Sequence, residues 1–411
     1  PSASARSACR IALSPTRRVA RGWSRRVYAP RLRDAAPTRA SQLGHIGREG
    51  GVNYENHSAS SLSDELRSAW SELRGGRAPF DSPLLCLANL ELLEQVRGDI
   101  FVGVARENGR PVAMMPYCKV RSIAKPYAGP LCDLQVVLTA RGVKVDGKQL
   151  LRGLGLSAAH FNAHLMRPDS PFTRHCVTRG VTPYIDISAG FEVYRDQRRK
   201  AGSDELKESM RKARKIQRDL GPLRFEPRDT DTQVLRQVLR WKSDQLRSRG
   251  AFNAFMVPWI RQVLERSIVS QHKEWKGMMC SLRVGDELIA GAVGIRNRHV
   301  FHGWVTAFNP SPLYRRYSPG IMLLAQLLQH CDALGIRRID MGGGDEAFKS
   351  SFQSGGFAIG EGGLDLYPLR GALRRGLIGV RDWMGPGSLR TMVHGWVNRC
   401  RHATKSSGRS T

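Results

Sequence analysis

The sequence predicts an α+β fold made of two similar helix-helix-meander units in tandem. Apolar positions at helical spacing over residues 65–74 and 84–96 lead into strand-like runs joined at Asn108-Gly109, and the same order returns over 232–247, 257–268 and 278–295. The second helix of each set follows an aromatic residue and a proline, Phe80-Asp-Ser-Pro in one and Phe255-Met-Val-Pro in the other. With 411 residues the chain also exceeds what one core ordinarily organises.

Residues 1–60 hold eleven Arg within their first fifty positions, with only Asp34 and Glu49 to oppose them, and no sustained apolar period. They read as a disordered basic segment, resembling an organelle transit peptide but without the apolar stretch of a secretory signal. Residues 61–190 form the first unit. Ser63 and Asp64 cap its first helix, and Asn108-Gly109 supplies the positive φ values of a tight hairpin whose return strand is 111–120. His160 and His164 stand four apart without an acidic partner and read as ordinary helix residues. Residues 191–368 form the second unit. It opens with a helix after Ser203, stopped by Gly221, that carries Arg211, Lys212, Arg214, Lys215 and Arg218. The tail, 369–411, has apolar stripes on Leu373, Leu377, Val380 and Met384 and on Leu389, Met392, Val393, Trp396 and Val397, which mark two short basic amphipathic helices.

The chain carries 65 Lys+Arg against 36 Asp+Glu, a formal charge of +29. Residues 1–50 hold +9 of this and residues 369–411 hold +8, so more than half the excess sits in the ends. That distribution argues against nucleic acid as the main partner. The eight cysteines are scattered with no paired spacing, so no zinc site or disulfide framework is expected, and a reducing cytoplasm is the simplest compartment. No apolar run of 18 residues exists to cross a bilayer. The apolar stripes of the tail either pack back on the second unit or leave its basic helices in peripheral contact with an inner membrane or a membrane-bound polysaccharide synthase.

The most informative stretch is 301–349. It reads strand, loop, helix, strand and glycine loop: a strand over 299–308, then Arg315-Arg-Tyr-Ser-Pro-Gly320, an apolar helix on Met322, Leu323, Ala325, Leu327 and Leu328, and a strand ending at Asp340 before Met-Gly-Gly-Gly-Asp345. Ser318 is the expected N-cap, with Pro319 at the first helical position. A helix start next to Arg315, Arg316, Ser318 and Gly320 offers backbone N–H groups, the positive dipole end and two guanidinium groups to one point, as a pyrophosphate requires. The structural alternative is a capped helix with two solvated arginines.

This Arg-x-x-Ser-x-Gly run resembles the coenzyme A pyrophosphate loop of the GNAT acyltransferase superfamily, whose pattern is Arg/Gln-x-x-Gly-x-Gly/Ala. Ser318 replaces the first glycine, and Pro319 removes one amide donor. Tyr-Ser-Pro-Gly, Gly-Ile-x-x-x-Asp, Gly-Gly-Asp and Phe-Lys, with Tyr184-Ile-Asp-Ile and Trp241-Lys242, most resemble the CelD-like acetyltransferases of cellulose and exopolysaccharide biosynthesis, relatives of the FemAB aminoacyl transferases. The resemblance spans about 62–368. It implies two tandem GNAT-like domains with the cofactor site in the second, acetyl-CoA or another acyl-CoA as co-substrate, and a small-molecule or glycan acceptor; no metal is expected, because the paired histidines lack an acidic ligand. A FemAB-like aminoacyl-tRNA-dependent transferase and a non-catalytic synthase subunit are the alternatives.

Acyl transfer from a thioester needs a bound donor, a deprotonated acceptor and a group to receive the thiolate. Asp345, helped by Asp340, is the expected general base; the structural alternatives are capping roles at a strand end and at a helix over 346–352. Lys349, one turn after Asp345, binds a phosphate or forms an exposed ion pair. His302 and Trp304 share a strand face, where the imidazole can relay a proton and the indole can cover substrate or pack in a core. Tyr317 can protonate the leaving thiolate, and Arg211 and Lys215 can hold an anionic acceptor or form a solvated basic face.

Overall fold

The computed structural model describes residues 47–49, 51–343, 347–369, 371–374 and 376. Most of the expected N-terminal segment, the bulk of both tail helices and Asp345 lie outside these residues.

The first half runs β1 (Gly47–Glu49), β2 (Val52–Ser58), α1 (Asp64–Arg74), α2 (Leu87–Arg97), β3 (Ile100–Glu107), β4 (Arg110–Val120), β5 (Ile123–Lys125), β6 (Leu138–Thr139), α3 (Gly147–Gly153), β7 (Ala158–Leu165) and β8 (Cys176–Asp186). The second half runs α4 (Phe191–Lys200), α5 (Glu205–Leu220), β9 (Leu223–Glu226), α6 (Thr232–Ser248), α7 (Pro258–Ile268), β10 (Lys276–Val284), β11 (Glu287–Arg296), β12 (Val300–Phe308), α8 (Pro312–Arg315), α9 (Pro319–Gln329), α10 (Cys331–Leu334), β13 (Arg338–Asp340), α11 (Ala347–Phe352) and β14 (Gly355–Asp365).

Local chemistry fixes the repeated part. The Ser63 hydroxyl accepts from the Leu66 amide and opens α1, while Gly75 in the left-handed region closes it. Asn108 at φ 50° and Gly109 at φ 79° turn β3 into β4. A 3-10 turn carries the chain into each second helix, Pro83–Leu85 before α2 and Ala254–Met256 before α7. These elements bury one continuous core, with Trp70, Leu90 and Val102 of the first half against Val238, Val263 and Val293 of the second. Burial of that apolar surface drives the association of the two repeats.

The strands make one sheet in the order β1-β2-β3-β4-β5-β7-β14-β8-β13-β12-β11-β10-β9, with β6 pairing β4. Inward from β2 and from β9 the order repeats, three antiparallel pairings being followed in each half by a parallel ladder, β5 with β7 and β12 with β13. The last strands are exchanged: β8 ends the first half yet pairs with β13, and β14 ends the second half yet pairs with β7. Each half therefore needs the other to complete its sheet.

Two expectations are corrected. Residues 52–58, placed in the disordered segment, form β2 along β3. Their inward face is Val52, Tyr54 and Asn56, and the Asn56 side chain donates to Leu154 O and accepts from the Tyr117 hydroxyl. A polar residue that is bonded inside gives no apolar period to read. His160 and His164 lie on strand β7, not on a helix, because β7 pairs with β14, some 200 residues later in the chain.

Candidate active site

Strand β12 and strand β13 pair in parallel over three rungs, the last being His302 with Asp340. Beyond that rung β12 continues to Phe308, while the other chain turns into Met341, Gly342 and Gly343. The loop after β12, with α8, then brings the chain to the start of α9.

At that start Ser318 stands at φ 57°, ψ 58°, in the left-handed region. This is the conformation glycine adopts freely and other residues adopt at a cost of roughly 1–2 kcal/mol, which gives the glycine of the usual pattern its physical meaning. Contrary to expectation the Ser318 hydroxyl makes no cap; it accepts a hydrogen bond from Lys212 Nζ at 3.0 Å. Gly320 lies over β12, and a Cβ there would stand 3.3 Å from the Phe308 ring. Pro319, at the first helical position, is buried. Arg315 and Arg316 are exposed, with the Arg316 guanidinium over the Tyr317 ring.

The basic helix α5 lies against this loop. Lys212 reaches Ser318, and two turns further on Asp219 accepts from the Tyr317 hydroxyl at 2.7 Å. Burial and the Asp219 carboxylate hold the Tyr317 phenol above its ordinary pKa, while that bond, together with the charges of Lys215, Arg218 and Arg316, holds Asp219 below its own. Tyr317 is thus protonated, and its proton is directed to Asp219. Lys212 thus bonds the residue that opens α9, Arg315 and Arg316 lead into it, and the charges of Lys215, Arg218 and Arg316 bear on the neighbouring Asp219. Arg211, one position off this face, is held by Glu208 in a two-bond pair.

Asp340 is buried and bound by the Arg338 guanidinium at 2.7 and 3.3 Å. Arg338 also binds Asp81 of the first half through both carboxylate oxygens, at 2.7 and 2.9 Å. Burial works against the Arg338 charge, but the two carboxylates outweigh it and raise its pKa. Asp340 thus has a structural partner for each oxygen. Lys349 is also buried, not exposed; its Nζ donates to Gly343 O at 2.8 Å and Gly342 O at 3.4 Å, anchoring the glycine loop from inside.

His302 is buried, and its Nε2 faces Asp133 Oδ2 at 3.3 Å. Trp304, half-buried, donates from Nε1 to Leu131 O. These two contacts bring the 131–133 segment of the first half onto β12. Asp133 and the role of Lys212 carry no local signal in the sequence: Asp133 lies in no motif and meets His302 across 169 positions, and Lys212, one of several cations on the basic helix, meets Ser318 across 106. In the first half the corresponding helix start is closed, because the Asp146 carboxylate accepts from the Lys148 and Gln149 amides that open α3.

Residues 204–350 match the family model described as acetyltransferase (GNAT) domain. The matched stretch runs from the start of the basic helix α5 into α11, so it contains α5, β12, the start of α9, Asp340 and Lys349. Similar solved structures include the following three. FemX is 9% identical with a TM-score of 0.48, over 78% of this chain and 100% of that one. A tandem GNAT protein from the clavulanic acid biosynthesis pathway is 11% identical with a TM-score of 0.46, over 77% and 99%. The C-terminal domain of an Agrobacterium fabrum protein named for lysylphosphatidylglycerol synthetase is 17% identical with a TM-score of 0.42, over 75% and 95%. No curated protein gives a significant match. Among the described residues no helix is long and apolar enough to cross a membrane, and no group of three His, Cys, Asp or Glu is placed to hold a metal ion.

Proposed function

We propose that the protein transfers an acetyl or other acyl group from coenzyme A to an amine or hydroxyl acceptor. The observation that carries this reading is the start of α9, where a left-handed residue bonded by Lys212, a glycine laid on β12 and the preceding Arg315 and Arg316 meet at one helix N-terminus inside the stretch that matches the GNAT domain. Such a start binds a pyrophosphate through backbone N–H groups and the helix dipole, and the surrounding Lys and Arg neutralise the remaining charge. Arg315, Arg316 and Lys212 hold the phosphates, with Ser318 and Gly320 shaping the backbone. Lys215, expected on the acceptor side, is assigned to the donor side with them. The first half shapes the acceptor site and holds no donor, since Asp146 already fills its helix start.

The acceptor class follows the CelD-like resemblance: a glycan or its precursor in the bacterial cell envelope, modified from the cytoplasmic side, with the basic tail in peripheral contact with the inner membrane or a polysaccharide synthase. Thiol release from acetyl-CoA across a panel of amino sugars and sugar alcohols tests it. Acceptor-dependent release by the native chain and none by Gly320→Asp supports the reading. Release that ignores Gly320→Asp removes the site from the chemistry. Steeply salt-dependent tRNA binding without acetyl-CoA turnover moves the function to aminoacyl transfer.

A further inference from the structure

Asp133 reaches from the first half into the second at the one rung where the parallel ladder ends. Its carboxylate faces His302 Nε2, and a carboxylate can only accept, so the ring proton sits on Nε2. The other nitrogen, Nδ1, is then a bare lone pair. It is buried and has no partner among the described residues, an arrangement that costs stability unless something is brought to it. The supporting framework is rigid. Trp304 Nε1 bonds Leu131 O, the Tyr127 hydroxyl bonds Leu84 O or Leu134 O, and Gln135 Oε1 accepts from the Asn162 and Ala163 amides. Room for the carboxylate is made at Gly342, where a Cβ would stand 2.7 Å from Asp133 Oδ2.

Position adds a second argument. From His302 along β12 to Phe308, beneath the first turn of α9, is six residues, ~20 Å at strand spacing. That is the reach of an extended phosphopantetheine arm, so a pyrophosphate at Gly320 puts its thioester near His302.

We propose that His302 Nδ1 is the base of the acyl transfer and that Asp133 is the positioning residue that fixes its tautomer, an inference that rests on the acyl-CoA reading above. The acceptor N–H or O–H proton passes to Nδ1 as the acceptor atom bonds the thioester carbonyl carbon. The C–S bond then breaks with its electron pair on sulfur, and the imidazolium returns the proton to the thiolate. Acylated acceptor and free thiol leave with His302 neutral again.

The test is nitrogen NMR of the full chain labelled with [15N]histidine, with the His302 signals assigned by their loss in His302→Gln. The expected result is a proton on Nε2 in the native chain, loss of that single tautomer in Asp133→Asn, and a shift of the Nδ1 resonance when acetyl-CoA saturates the native chain. A proton on Nδ1, or an Nδ1 signal unmoved by acetyl-CoA that a parallel titration shows to be bound, overturns the proposal and leaves the acyl-CoA reading standing. Absence of acetyl-CoA binding overturns that reading and this one with it. The ligand arm uses native protein, so a variant that fails to fold does not decide the outcome.

Discussion

Replacing Arg338 by alanine should be among the most destabilising single changes in the second half. The Arg338 side chain is 9% exposed and makes four hydrogen bonds to two carboxylates, one from each half. Its removal leaves Asp340, itself 9% exposed, and Asp81, 25% exposed, close together without a cation. Breaking a buried pair in this way costs about 3–5 kcal/mol, and the partial exposure of Asp81 places this case toward the lower end. Against a total stability of roughly 5–15 kcal/mol that is a large share. Asp340→Asn is the informative partner. It keeps the Arg338–Asp81 pair and an acceptor oxygen, so it should cost only ~1–2 kcal/mol. Urea unfolding followed by circular dichroism, with unchanged slope, measures both. A loss under ~1 kcal/mol for Arg338→Ala, or equal losses for the two variants, refutes the reasoning. If Asp340→Asn abolishes turnover with its stability intact, the carboxylate belongs to the chemistry and not to the joint between halves.

Three further outcomes follow from the same geometry. Burial, with the Arg167 charge behind it, pushes His164 on β7 down to about 3 from its ordinary 6.5, so below pH 6.5 the unfolded chain takes up a proton that the folded chain refuses. Stability is complete above that pH and falls as pH drops toward 3, by about 2 kcal/mol at pH 5; His164→Asn should flatten this acid limb in urea titrations at pH 4–6. Gly342→Ala places a Cβ at φ 64° and against Asp133, and should cost ~1–2 kcal/mol in the urea midpoint while moving the His302 ring nitrogens in the NMR spectrum. Lys212→Met should weaken acetyl-CoA binding by ~1 kcal/mol, about fivefold, and make it less sensitive to salt; equal affinity in both proteins at low salt would take Lys212 out of the phosphate site.

Much of the fold was legible because its signals are local. Ser63 and Gly75 mark the ends of α1, Asn108-Gly109 marks a hairpin, and the aromatic-to-proline approach to α2 and α7 shows the repetition within a few residues. β2 and β7 escaped because polar residues interrupt their apolar patterns: Asn56 and His160 find partners 98 and 205 positions away, Leu154 and Asp365, while His164 bonds the nearby Ser170. The exchange of β8 and β14 is a pairing choice between strands of similar character, which no single segment encodes. At the site, the Arg315-to-Gly320 run announced a helix start, but not that Ser318 would turn left-handed and give its hydroxyl to Lys212. Asp340 and Lys349 looked like candidates for chemistry because charged residues beside a glycine loop do; the structure engages one with Arg338 and the other with the loop carbonyls.

The most direct test of the central claim is calorimetric titration of the full chain with acetyl-CoA, at two salt concentrations to set aside nonspecific anion binding. The account predicts saturable binding of one molecule per chain, weakened at least tenfold by Arg315→Ala and lost in Gly320→Asp while both variants stay folded. A folded native chain that takes up no acetyl-CoA, or one whose affinity survives Gly320→Asp unchanged, contradicts it.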